Sequence, residues 1–350
     1  MTREELLEKV RNGEILEGEV FDGLDLQGAE LGGGIFERCS FAGANLRGAS
    51  LREVIASDCE FAGARLDGGV LRHAVFHRGA FAKTSFDGAD LTAAKFLASE
   101  FGGATFRKAT LVVTQCVEGM FDDASFEGAD LDRFAVLTPR SSQRMDFRSA
   151  RLRQTVMVSV DLANARFDGA TFDLAVLNDC DFTGQDFSGM RVGLTQFSKA
   201  KLSRCNFRGA DVSQCNFHEA DLSFASFDEA QGKHAMFLGA KLDGATFLKA
   251  KLHGSIFNAC AMEGGDLSDA ELRECLFHEA RVVGSTFVGA DLSYADFSHA
   301  DVSSSDFSGA TLFRTRFHRS IEDNTRFTHR LLALGEDADL AEAEDFQPKV

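Results

Sequence analysis

The chain has 350 residues, with 54 acidic against 37 basic side chains and a formal net charge of -17. That balance excludes a protein that grips nucleic acid through its phosphates; it suits solubility, or partners with basic surfaces. An ordinary mixed core is excluded too, because 34 Phe stand against one Tyr and no Trp. One structural slot, filled again and again, would produce that bias.

The opening MTREELLEKV is charged and helix-like rather than a secretory signal. No apolar stretch near 18 residues follows, so no membrane span is expected. A cytoplasmic location is the expectation, although non-classical export would leave no such mark. Thr2 and Glu5 have capping-box spacing, and Gly13 is a helix stop. Residues 1–13 therefore read as a capping helix, with Leu6, Leu7 and Val10 over the first coil.

From Leu16 a large apolar residue falls every five positions, through Phe21, Leu26, Leu31 and Phe36, as far as Val136. Ala56 and Cys116 are its smaller members. The beat slips by one and resumes at Phe147, running to Phe317 with Gly232 as its weak point. Of the 34 Phe, 30 sit in this slot; Phe134, Phe224, Phe313 and Phe346 do not. Two residues earlier lies a small slot of Ala, Ser, Thr, Gly and Cys. It holds Cys39, Cys59, Cys180, Cys205, Cys215, Cys260 and Cys275, while Cys116 takes a large slot.

A period of five fits neither a helix at 3.6 nor a strand at 2. The chain must turn after each short unit, with both slots inward and the residues between them in water. The units Ala44-Asn45-Leu46-Arg47-Gly48, Ala89-Asp90-Leu91, Ala220-Asp221-Leu222-Ser223 and Ala290-Asp291-Leu292-Ser293 resemble the A(D/N)LXX signature of the pentapeptide repeat family, over roughly residues 14–330. The resemblance implies an all-β solenoid, a right-handed quadrilateral parallel β-helix whose four faces close a 20-residue coil. Residues 20 apart then stack: Phe21, Phe41, Phe61, Phe81, Phe101 and Phe121 make one column, and Phe217, Phe237, Phe257, Phe277, Phe297 and Phe317 another. About fifteen coils at ~4.8 Å would span roughly 70 Å.

Two β-helical segments are expected, 14–136 and 147–330. Residues 137–146, LTPRSSQRMD, join them as a register-shifting loop or bulge, with a hinge as the alternative. Glu322 occupies a large-residue position, which marks decay of the pattern. Phe327, Leu331, Leu332 and Leu334 are expected to cap the end through a short helix, and residues 331–350 form the C-terminal cap and acidic tail.

No catalytic, cofactor or metal site emerges. CxxC, HExxH and nucleotide-binding glycine loops are absent. His218, His278 and His318 share a face but stand two or three coils apart, too far for a shared metal. Cys39 and Cys59 should stack, and read as a reduced buried pair. One outer edge is unusual. The residue before the large slot is apolar on a single face at Ile15, Ile35, Ile55, Val75, Val156, Val176, Met236, Ile256 and Leu276. Other faces mainly carry polar residues there. The ladder is either β-branched tolerance on a flat wall or a docking face.

The function expected is that of a non-enzymatic bacterial scaffold with a protein partner, and the opening MTREELLEKVRNG looks like accessories of type VI secretion systems. A homodimer through the ladder or an end cap also fits. The alternative is an acidic DNA mimic that binds a type II topoisomerase, as relatives linked to fluoroquinolone resistance do.

Overall fold

The computed structural model describes residues 1–346; positions 347–350 of the expected acidic tail lie outside the described residues. The fold is a parallel β-solenoid of about 16 turns, where the pattern suggested about fifteen, with a short helix near each end of the chain. Two compact units divide it, residues 1–181 and 182–350.

Unit 1 opens with α1 (Arg3–Arg11). Its Thr2 hydroxyl accepts from the Glu5 N–H at 3.2 Å, while the Glu5 carboxylate accepts from the Thr2 N–H at 2.7 Å. Both orphan donors of the first turn are thereby satisfied. Leu6 and Val10 are buried, and Leu7 is half-buried.

The corner geometry explains the beat. Each large residue points inward, and its carbonyl accepts from the N–H three residues on, as Phe41 does from Ala44 at 3.0 Å. The residue between them, Gly43, has φ +64° and donates to Ala62 of the next turn at 2.9 Å. A left-handed residue before each small slot is what this tight turn requires. Many corners nevertheless carry side chains there, Val113 at φ +59° among them.

Inside, the rings stack. Along Phe21, Phe41, Phe61, Phe81, Phe101 and Phe121 the centroids lie 4.8 to 5.3 Å apart. Neighbouring columns meet edge to face, as Phe36 meets Phe41 at 82°. Many small slots that carry a hydroxyl or thiol donate it to a large-slot carbonyl on the preceding turn: Thr84 to Phe61 at 2.6 Å, Thr114 to Leu91 at 2.7 Å, Cys39 to Leu16 at 3.3 Å; the buried Thr195 Oγ1 does not. Each such bond satisfies a polar group in an interior with no room for water.

β1 (Ile15–Glu17), β2 (Ile35–Glu37), β3 (Ile55–Ser57), β4 (Val75–His77), β5 (Lys95–Leu97), β6 (Gln115–Val117), β7 (Ala135–Leu137), β8 (Arg151–Arg153), β9 (Val156–Val158) and β10 (Thr171–Asp173) complete unit 1. Eight of these form one parallel sheet in the order β1-β2-β3-β4-β5-β6-β7-β9, and β8 pairs with β10. Elsewhere the turns meet through single-residue bridges. There Asp side chains often accept from the N–H two residues on, as Asp25 does from Gln27 at 3.2 Å and Asp90 from Thr92 at 3.0 Å. Such local bonds start the corner early and shorten the strand.

The slipped register is a β-bulge. The Arg140 N–H donates to the Gly119 carbonyl at 2.8 Å, and the Ser141 carbonyl accepts from Phe121 at 2.8 Å, so two residues oppose Met120 alone. Beyond it β7 pairs β9 with Val136 against Met157. The Phe106, Phe126, Phe147, Phe167 column runs on at 4.8 to 5.3 Å. Size is exchanged between slots here. Ser142 takes a large slot, where its Oγ accepts from the Asp161 N–H at 2.9 Å, while Phe134 and Met145 are fully buried in small slots.

Unit 2 continues the same chemistry, with β11 (Asp306–Phe307) paired to β12 (Arg326–Phe327). Phe217, Phe237, Phe257, Phe277, Phe297 and Phe317 stack at 4.5 to 5.2 Å. Gly232 leaves no void: a Cβ there would meet Leu252 Cδ2 at 2.5 Å and Val212 Cγ2 at 3.1 Å.

Left-handed backbone at a β-branched residue is strained by roughly 1–2 kcal/mol. Val113→Gly keeps the corner's hydrogen bonds and removes that strain. It is expected to raise stability by about 1 kcal/mol, read as an upward shift in thermal unfolding; a downward shift would contradict the corner account.

Candidate interaction surface

In unit 1 the expected ladder stands on the outer side of the eight-stranded sheet. Ile15 is 61% and Ile55 48% exposed, with Ile35, Val75, Val156 and Val176 partly covered. Direct neighbours along the ladder are Ile15, Ile35, Ile55 and Val75 on β1 to β4. Lys95 and Gln115 then interrupt it. At that point the residue after the slot becomes apolar: Leu97, Val117, Leu137 and Val158 are paired neighbours on β5, β6, β7 and β9. The apolar band thus crosses from one column to the other. Sequence reading followed only the first column, although the second recurs at the same spacing.

Charges rim the band. Glu17 pairs with Arg38, and Asp58 takes Arg78 in a fork at 2.5 and 2.6 Å. The Arg78 hydrogen bond holds the Asp58 carboxyl below the usual range. These pairs are exposed and add little stability. In unit 2, Met236, Ile256 and Leu276 are bridged neighbours. Asn216, His218, Met236, Leu238 and Ile256 line a shallow hollow of about 210 Å³.

All eight cysteines are buried free thiols. Burial pushes Cys180, Cys215, Cys260 and Cys275 up to about 12, far from a nucleophile's range. Cys39 and Cys59 share a hydrogen bond that draws the first down and drives the second up.

Of the three histidines expected on one face, His318 is fully buried, and its close neighbour is His299, with ring centroids 5.5 Å apart. Glu344 joins them, so the ligand atoms of His299, His318 and Glu344 lie within 4.8 Å of one another. The 19-residue step from His299 to His318, one short of the repeat, hid this pair.

The end cap also differs from expectation. A 3-10 turn does form over Arg330–Leu332, but Leu331 is 100% exposed, and Leu332 and Leu334 are half exposed. The terminal core is covered by Arg330 instead. Its guanidinium lies 4.7 Å from the Phe317 ring centre and 5.5 Å from that of Phe327, held by Glu322 at 3.0 and 2.8 Å. Glu322 is therefore the anchor of the cap. A charged pair serves because rings can stack on one face of a guanidinium while its edge stays wet.

Family models for pentapeptide repeats match residues 34–111 and 250–327 (pentapeptide repeat region) and 146–184 and 195–231 (pentapeptide repeats, 8 copies). The chain belongs to the pentapeptide repeat family. Similar solved pentapeptide repeat structures include HetL, involved in heterocyst differentiation regulation in Nostoc sp. strain PCC 7120, at 17% identity, covering 90% of this chain and 96% of HetL with a TM-score of 0.25. Full-length QnrB1, a plasmid-mediated fluoroquinolone resistance protein, is 18% identical over 56% of this chain and 99% of its own, with a TM-score of 0.31. A pentapeptide repeat protein of the Arabidopsis thaliana thylakoid lumen is 31% identical over 27% of this chain and 69% of its own, with a TM-score of 0.22. No curated protein matches in sequence. Among the described residues no helix is long and apolar enough to cross a membrane.

Arg330→Ala uncovers Phe317 and Phe327 and leaves Glu322 without its cation, with only the Ser320 hydroxyl still donating to it. It is expected to cost about 1–2 kcal/mol, seen as faster amide exchange in residues 302–327. Arg330→Lys should recover only part of the loss, since an ammonium cannot fork to Glu322.

Proposed function

We propose that this pentapeptide repeat protein is a non-enzymatic interaction scaffold, and that the outer side of the β1–β9 sheet docks a protein partner. The carrying observation is the apolar band itself, Ile15, Ile35, Ile55 and Val75 passing into Leu97, Val117, Leu137 and Val158 on consecutive strands. A contiguous apolar strip, exposed at Ile15, Ile55 and Leu97 and half-buried elsewhere, with a charged rim, fits the make-up of a protein-binding patch. Met236, Ile256 and Leu276 offer a second, smaller patch in unit 2. An accessory role in bacterial type VI secretion is the finer reading, motivated only by the resemblance of the opening segment.

The DNA-mimic alternative is less well supported. A mimic needs rows of free carboxylates, whereas many Asp side chains here are forked by arginines on the next turn. Asp123 takes Arg144 at 2.7 and 2.7 Å, and Asp130 takes Arg151 at 3.2 and 2.6 Å. Others cap backbone N–H groups, as Asp221 does for Ser223 at 3.1 Å.

Ile35→Asp with Ile55→Asp changes outward side chains only. The double variant should unfold at the wild-type temperature within a few degrees, and should lose its partner in affinity capture from native lysate. Light scattering on both proteins shows whether that partner is a second copy. Retained binding would contradict the docking face.

A further inference from the structure

α2 (Ala338–Asp345) lies against unit 2 with little apolar contact. Ala341 is its buried residue, whereas Leu340 is 41% exposed and the C-cap Phe346 73%. Polar contacts hold it. The Glu344 carboxylate accepts from His299 Nε2 at 3.2 Å through one oxygen and from His318 Nε2 at 3.3 Å through the other. Arg319 donates to the Ala341 carbonyl at 3.0 Å and to Asp345 at 2.5 Å, and its Nε lies 3.4 Å from Glu344. Desolvation pushes the Glu344 carboxyl up, but the two imidazole bonds outweigh it and hold the group below its usual range.

Two histidines and a glutamate this close would also suit a metal ion. The far side of His318 argues otherwise. Its Nδ1 lies 3.1 Å from the Asp337 N–H, so Nδ1 accepts and the ring proton of a neutral imidazole sits on Nε2. That leaves Nε2 a donor to Glu344, with no lone pair for a cation. The Arg319 guanidinium beside the same carboxylate adds a further repulsion.

We propose that α2 is a releasable strap, latched by Glu344 across His299 and His318 and by Arg319. The Asp337 N–H donates to His318 Nδ1 at 3.1 Å, so the start of the helix is held at the same histidine that Glu344 meets. A strap held by charge-assisted bonds near the surface responds to salt. The Phe columns, held by dry packing, do not.

Hydrogen exchange on the full chain tests this. Glu344→Gln should speed exchange of residues 338–345 about tenfold or more, while the turns of residues 182–327 stay as in wild type. Glu342→Gln, on the exposed side of the same helix, should match wild type. Raising salt to about 1 M should speed the wild-type segment as well. Equal exchange in wild type and Glu344→Gln would overturn the strap, and so would a slowing of wild-type exchange by added zinc chloride, which would make the cluster a metal site.

Discussion

Everything in this molecule depends on closing a corner after every five residues while keeping one large and one small side chain inside it. The corner's carbonyl accepts from the small-slot N–H, and a left-handed residue, such as Gly43 at φ +64°, lets the chain turn. Once that geometry repeats, rings 20 residues apart must stack, and they do so within 4.5 to 5.4 Å along the Phe columns. Burial of flat rings in register gives dispersion contacts at close to crystal density. The small slot is as demanding, since its occupant faces the carbonyl of the turn before. Ala, Ser, Thr or Cys fits there, and many of the hydroxyls and thiols are put to use as donors.

This constraint made most of the fold legible in the sequence. Slots, columns and capping helix follow from spacing and residue size. What escaped were places where two departures cancel. Ser142 in a large slot reads as a defect until Phe134 and Met145 are found filling small slots nearby. Gly232 reads as weak until Leu252 and Val212 are seen to occupy its space. Glu322 reads as decay, yet it anchors the Arg330 cap over Phe317 and Phe327. At Gly232 the space is filled by its own column neighbours, 20 residues to either side, whereas Ser142 and Glu322 are compensated by residues that the repeat does not relate to them.

The surface was harder to read for the same reason. The first half of the apolar band sits before the slot and was visible as Ile15, Ile35, Ile55 and Val75. Its continuation after the slot, through Leu97 to Val158, became connected only when the strands were laid side by side. The His299–His318–Glu344 cluster was hidden by a 19-residue step and by a helix outside the repeat. The repeat itself specifies little beyond a stable wall, so the proposed docking face rests on departures from repeat chemistry.

Removing single residues tests the governing constraint most directly. Arg140 is the extra residue of the bulge, so its deletion restores a strict five-residue beat and leaves Val136, Ser142 and Phe147 in their slots. Lys108 lies inside an ordinary corner at φ +55°, and its deletion pulls one side of a turn short and drives the slots on either side out of register. Thermal unfolding followed by circular dichroism should show the Arg140 deletion folding with a transition within a few degrees of wild type. The Lys108 deletion should show a lost or strongly lowered transition. Equal stability of the two deletions would contradict the claim that the corner beat governs this fold.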